Sequence, residues 1–156
     1  MELDRDIFPF VNPSMGMSPH AMGCISHHAS ASGFKALAMN HVRFISQPMG
    51  YVAWAVDVDL LTGMAIRHPG THERFGIRKG LLDCNRVAAL NGLLISDAFQ
   101  SIPSESPAWG FDGTSQFIEV DLDGHYSWKC HWNIEEDLLG EVGKLFWPLS
   151  KELLAR

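Results

Sequence analysis

Tyr51-Val52-Ala53-Trp54-Ala55-Val56-Asp57-Val58-Asp59-Leu60 is the stretch on which the fold turns. Val52, Trp54, Val56, Val58 and Leu60 recur at every second position, with Tyr51, Ala53, Ala55, Asp57 and Asp59 between them. A period of two marks a strand with one buried face and one wet face. Just before it, residues 41–47 alternate in the same way around Val42 and Phe44, and Gln47-Pro48-Met49-Gly50 supplies a turn. Just after it, Leu61-Thr62-Gly63 reads as a three-residue loop with Gly63 left-handed. That loop sets Leu60 against Met64, Val58 against Ile66 and Asp57 against Arg67. Apolar residues then meet on one face, and the Asp57–Arg67 charge pair sits on the wet one.

Residues 69–82 read as a loop with a local basic cluster. Asp83 is placed to cap a helix whose apolar positions are Val87, Leu90, Leu94 and Ala98, with Leu93 widening the stripe. A second hairpin is expected from residues 115–122 and 125–132. A three-residue loop Leu122-Asp123-Gly124 would set Val120 against Tyr126, Ile118 against Trp128, Gln116 against Cys130 and Asp121 against His125. Asn133, with Glu136 three residues on, is placed to cap a last helix. Its stripe is Leu138, Leu139, Val142, Leu145, Phe146 and Leu149, and Pro148 is expected to kink or end it.

The order strand, strand, strand, helix, strand, strand, helix, with every readable strand connection a hairpin, predicts an α+β fold. It is an antiparallel meander sheet of about five strands with two helices packed on one face, a two-layer sandwich. Residues 1–40, broken by Pro9, Pro13 and Pro19, read as an irregular N-terminal arm, and 41–156 as a single α+β domain.

Residues 83–147 carry a further pattern. Asp83 opens a helical run that exits through Phe99-Gln100-Ser101-Ile102-Pro103. Phe111-Asp112-Gly113-Thr114 then precedes a hairpin, Asp123-Gly124-His125-Tyr126 turns it, and a Trp-ended strand and helix follow. This resembles a group of small bacterial proteins of unknown function with a helix, Asp-Gly-Thr, hairpin, Trp, helix pattern. The resemblance implies the α+β fold and brings no catalytic activity with it.

The chain has 156 residues, enough for one domain that buries roughly 69% of its unfolded surface. Twelve Lys and Arg against 18 Asp and Glu give a net charge of −6, which argues against a nucleic-acid partner. No apolar run approaches the roughly 20 residues that span a bilayer. The start, Met1-Glu2-Leu3-Asp4-Arg5-Asp6, lacks the basic and apolar segments of a secretory signal. Cys24, Cys84 and Cys130 are odd in number and widely spaced, so the expected location is cytoplasmic, with reduced thiols.

No motif places catalytic residues in the context their chemistry needs, so no catalytic residue is assigned and no cofactor is implied. His68 and His72 stand four apart, but Pro69-Gly70 prevents the helix that would align them. With Cys24, His27 and His28 they are weak metal candidates, short of the three or four convergent ligands zinc requires. Five Trp exceed what a small core needs, and Trp109 with Phe111 in the loop before the second hairpin is a candidate contact. Asp121 and His125 form a candidate polar pair at the hairpin turn. The reading leans to a non-enzymatic protein-binding module, an inhibitor or immunity-type protein, monomeric or homodimeric. It would meet another protein through the open side of the sheet, where Ala53, Ala55 and Ala65 are small, or through the Trp109 loop. The alternative is a small His-based hydrolase, with or without metal.

Overall fold

The computed structural model describes residues 37–48, 54–70, 73–105, 114–132 and 138–156. The arm up to residue 36, Val52, Trp109, Phe111 and the Asn133 cap lie outside them. Six strands form one antiparallel sheet: β1 (His41–Pro48), β2 (Trp54–Asp59), β3 (Met64–Pro69), β4 (Arg78–Leu81), β5 (Thr114–Leu122) and β6 (His125–Trp132). Their order across the sheet is β4-β3-β2-β1-β5-β6, so β1 lies in the interior between β2 and β5. Among the described residues the helices are α1 (Cys84–Leu94), the single turn α2 (Asp97–Gln100) and α3 (Leu138–Ala155). The fold is the expected α+β meander with one more strand. β4 arises within the segment read as a loop, because Arg78-Lys79-Gly80-Leu81 has no apolar alternation to reveal it.

The core forms where the apolar face of the sheet meets the helices. Val42 and Phe44 of β1, Trp54, Val56 and Val58 of β2, and Ile118 and Val120 of β5 pack with Leu90 and Leu94 of α1, Phe99 of α2, and Val142, Phe146, Leu149 and Leu153 of α3. Phe44 stacks on both Trp54 and Phe146, with ring centroids 5.4 and 5.1 Å away. Burial of this one face holds the two layers together. Asp83 caps α1 as expected, its Oδ1 accepting the Arg86 N–H at 2.9 Å. The helix stops at Ile95, and Ser96 restarts α2, which turns Phe99 rather than Ala98 into the core. α3 runs through Pro148 without ending. Pro148 and Lys144, whose carbonyl loses its helical partner there, are both exposed, so water can take that bond.

Both hairpin registers differ from expectation by one residue. In the first, Asp57 pairs with Ile66 and Val58 with Ala65, so residues 60–63 form a four-residue loop. Asp59 organises it: its carboxylate accepts from the N–H of Leu61 and Thr62 and from the Thr62 hydroxyl at 2.6–3.2 Å, an Asx-type cap. Gly63 closes the loop with φ +76°, and a Cβ there would lie 2.9 Å from the Leu82 carbonyl oxygen. In the second, Leu122 pairs with His125, leaving a two-residue loop. Asp123 and Gly124 both have positive φ, 51° and 81°, the type I′ geometry that matches strand twist. Asp57 and Arg67 therefore point to opposite faces, as do Asp121 and His125. Ile66, Tyr126 and Trp128 leave the helix face, and Ala65 joins it.

Candidate functional site

The register places a row of polar side chains on the sheet face away from the described helices. Arg43 of β1 is paired with Asp57 of β2 and Glu119 of β5, His68 follows on β3, and Tyr126 on β6. Arg43 Nε and Nη2 donate to the two Asp57 oxygens at 2.6 and 3.2 Å, and Nη1 donates to Glu119 Oε2 at 3.1 Å. His68 Nε2–H donates to Asp57 Oδ2 at 3.1 Å, and the Tyr126 hydroxyl to Glu119 Oε1 at 2.8 Å. Five strands thus contribute to one continuous network.

Arg43 and Glu119 are 2% and 1% exposed, so their charges are held away from water. Burial pushes the Glu119 carboxyl above its ordinary range, and Arg43 and the Tyr126 hydroxyl only partly offset this. Burial also opposes ionisation of Asp57, but the His68 hydrogen bond and the Arg43 charge outweigh it and hold that carboxyl low. Burial and the adjacent Glu119 push the Tyr126 phenol up. Asp57 is the ionised partner of Arg43, and Glu119 the carboxyl that takes a proton most readily. Such a network specifies strand register, because each member would be costly unpaired. Its one element with the form of acid–base machinery is the Asp57–His68 pair.

The sequence singled out Asp57 but gave it the wrong partner. Arg67 instead lies under α3, where Nε donates to Ser150 Oγ at 2.9 Å and its Nη atoms grip Glu73 at 2.5–2.6 Å. Asp121 is buried and accepts the Gly124 N–H, while His125 is exposed, so the two do not form a site. His68 meets Asp57, and no group of three His, Cys, Asp or Glu able to hold a metal occurs among the described residues. His72, Cys24, His27, His28, Trp109 and Phe111 lie outside them. Ile45, Ala55, Phe117 and Cys130 on the second face are buried, so this part of it is not an open surface for a partner.

No family model, curated relative or solved structure matches the chain.

The two edges of the sheet differ. Along β6, the Cys130 N–H donates to Ser104 O at 2.6 Å, Lys129 Nζ to Ile102 O at 2.6 Å, and His131 Nε2–H to Pro103 O at 2.7 Å. That edge is covered by the segment after α2. No described segment runs along β4. The Leu82 N–H donates to Gly63 O at 2.9 Å, which makes Leu82 and Gly63 a hydrogen-bonded pair. Alternation in an antiparallel ladder then makes Lys79 and Leu81, opposite Ile66 and Met64, the residues whose N–H and C=O point out of the sheet. Exposed apolar side chains stand there beside cationic ones. Phe75, Ile77, Leu81 and Met64 are 54%, 55%, 62% and 40% accessible. An unpaired edge flanked by exposed apolar side chains can take an additional strand.

Proposed function

We propose that this protein is a non-enzymatic protein-binding module of the inhibitor or immunity type, which takes up an extended segment of its partner along β4. The observation that carries the reading is the edge at Lys79 and Leu81, along which no described segment runs, together with the exposed side chains of Met64 and Leu81 on the strands and of Phe75 and Ile77 just before β4. Edge strands in monomers are ordinarily kept short and charged to prevent such pairing. β4 is short, but four apolar side chains stand exposed around it, and exposed apolar clusters mark interaction sites. A cytoplasmic, bacterial setting accompanies the proposal; Cys84 and Cys130 being free thiols supports a reducing compartment. Affinity capture from the source cells with the full chain tests it. Ile77→Lys combined with Leu81→Lys should lose a partner that wild type retains. Ile95→Lys, at an exposed position beyond α1, should keep it. Equal capture by all three proteins would contradict the reading.

One observation favours a second reading. The His68–Asp57 pair at 3.1 Å has the form of a general base and its orienting carboxylate, which suits a small His-based hydrolase. Ester hydrolysis by wild type that disappears in His68→Ala would favour it over the binding module.

A further inference from the structure

We infer that the segment received along β4 is acidic; this rests on the strand-uptake reading above. Arg78 and Lys79 lie on β4, Arg156 reaches Gly80, and exposed Arg74 precedes the strand by four residues; none of them forms an ion pair with a described carboxylate. Of the six described cations elsewhere, four do: Arg43 with Asp57 and Glu119, Arg67 with Glu73, Arg86 with Glu152, and Lys144 with Glu141; Lys129 instead donates to Ile102 O, and exposed Lys151 on α3 pairs with no described carboxylate. In a chain of net charge −6, four uncompensated cations at one sheet edge are a local reversal of sign.

The pleat distributes them on both sides of the incoming strand. Lys79 lies on the second face, the same face as Leu81, and exposed Ile77 stands two residues before it in the chain. Arg78 lies on the helix face, its Nε buried without a hydrogen-bond partner. The Arg156 guanidinium reaches over Gly80 on that same face, 2.8 Å from where a Cβ would stand. Directly opposed side chains on paired strands have Cβ atoms about 4.5–5.5 Å apart, close enough for ion pairing. The matching segment carries a carboxylate opposite Lys79, apolar residues opposite Ile77 and Leu81, and a further carboxylate toward Arg78 and Arg156. A second copy of this chain is a poor occupant. Pairing β4 with itself would set like charges against each other, which opposes pairing.

The test uses the full chain and short blocked peptides built on the pattern Val-Thr-Glu-Glu-Val, which runs antiparallel to β4 and sets its two Glu opposite Lys79 and Arg78; both Glu are kept (the Val–Glu peptide), replaced by Thr (Val–Thr) or replaced by Lys (Val–Lys), and binding is titrated calorimetrically. The Val–Glu peptide should bind about tenfold or more tighter than the Val–Thr peptide and weaken as salt rises. N-methylation of its alternate amides should abolish binding, because the ladder bonds are then lost. Arg74→Glu with Lys79→Glu, both at exposed positions, should transfer the preference to the Val–Lys peptide. Equal binding of the Val–Glu and Val–Thr peptides, both sensitive to N-methylation, would overturn the acidic assignment and leave strand uptake standing. Failure of every peptide to bind, or binding indifferent to N-methylation, would overturn strand uptake itself. Equally tight binding of a single-stranded oligonucleotide of the same charge would show a general polyanion site and overturn the acidic-strand assignment.

Discussion

Replacing Arg43 by Met tests the buried network where it is most exposed to failure. The guanidinium makes three hydrogen bonds, at 2.6 and 3.2 Å to Asp57 and 3.1 Å to Glu119, and is 2% exposed. Met fills a comparable volume but leaves two carboxyls facing a site with no cation. Removing one partner from a buried ion pair costs about 3–5 kcal/mol, a large share of the total stability of an ordinary domain. The loss should depend on pH. Glu119 already holds its proton more tightly when folded, so its contribution is fully present below its unfolded value and is lost as pH rises through the raised one. Without Arg43 that carboxyl rises further, so the variant should suffer least near pH 5 and most near pH 8. The difference can grow by about 1.4 kcal/mol for each pH unit over which Glu119 is protonated in the folded variant but ionised in folded wild type. Asp57 runs the other way: its contribution is present above its ordinary value and lost as pH falls through the lowered one, so wild type should weaken in strong acid. Adding Glu119→Gln to Arg43→Met removes the carboxyl that has no other cation and should restore about 1–3 kcal/mol at pH 8. Urea unfolding followed by Trp fluorescence at several pH values reads all three proteins. An Arg43→Met protein within about 1 kcal/mol of wild type at pH 7 would refute the reasoning. So would a loss unchanged by pH and by Glu119→Gln.

Three further outcomes are expected. Gly63→Ala should destabilise by about 1–3 kcal/mol in urea titration, from a left-handed φ and a Cβ 2.9 Å from Leu82 O; a neutral effect would contradict the four-residue loop. Asp83→Ala removes the cap of α1 and should cost about 1 kcal/mol in the same assay, whereas an unchanged midpoint would show that the Arg86 N–H finds another acceptor. Under native conditions a thiol reagent followed by peptide mass mapping should modify exposed Cys84 and spare buried Cys130; equal labelling would place Cys130 outside the core.

The one-sided apolar alternation at Val42, Phe44, Trp54, Val56, Val58, Ile118 and Val120 carried the fold class, because those residues do meet the helices. The hairpin registers were not recoverable from apolar matching. That rule assumes a wet second face, and here Arg43, Ile45, Phe117, Glu119 and Cys130 are buried on it. Burial on both faces removes the contrast that would set the register. Turn chemistry held the missing information. Asp123-Gly124 is a strong two-residue hairpin signal, and Asp59 ahead of Thr62 and Gly63 supplies its own loop cap. The polar row stayed hidden because Arg43 sits at an alternating position that reads as solvent-facing, far in sequence from Glu119. β4 was illegible because an edge strand exposed on its outer side needs no apolar pattern.

Hydrogen exchange at β4 tests the binding account most directly. In the free protein the amides of Lys79 and Leu81, which point out of the sheet, should exchange rapidly, while Gly80, bonded into the ladder opposite Ala65, is protected. On saturation with the Val–Glu peptide, Lys79 and Leu81 should slow markedly as they donate to the added strand. Unchanged exchange at both amides in the presence of bound peptide would contradict the account.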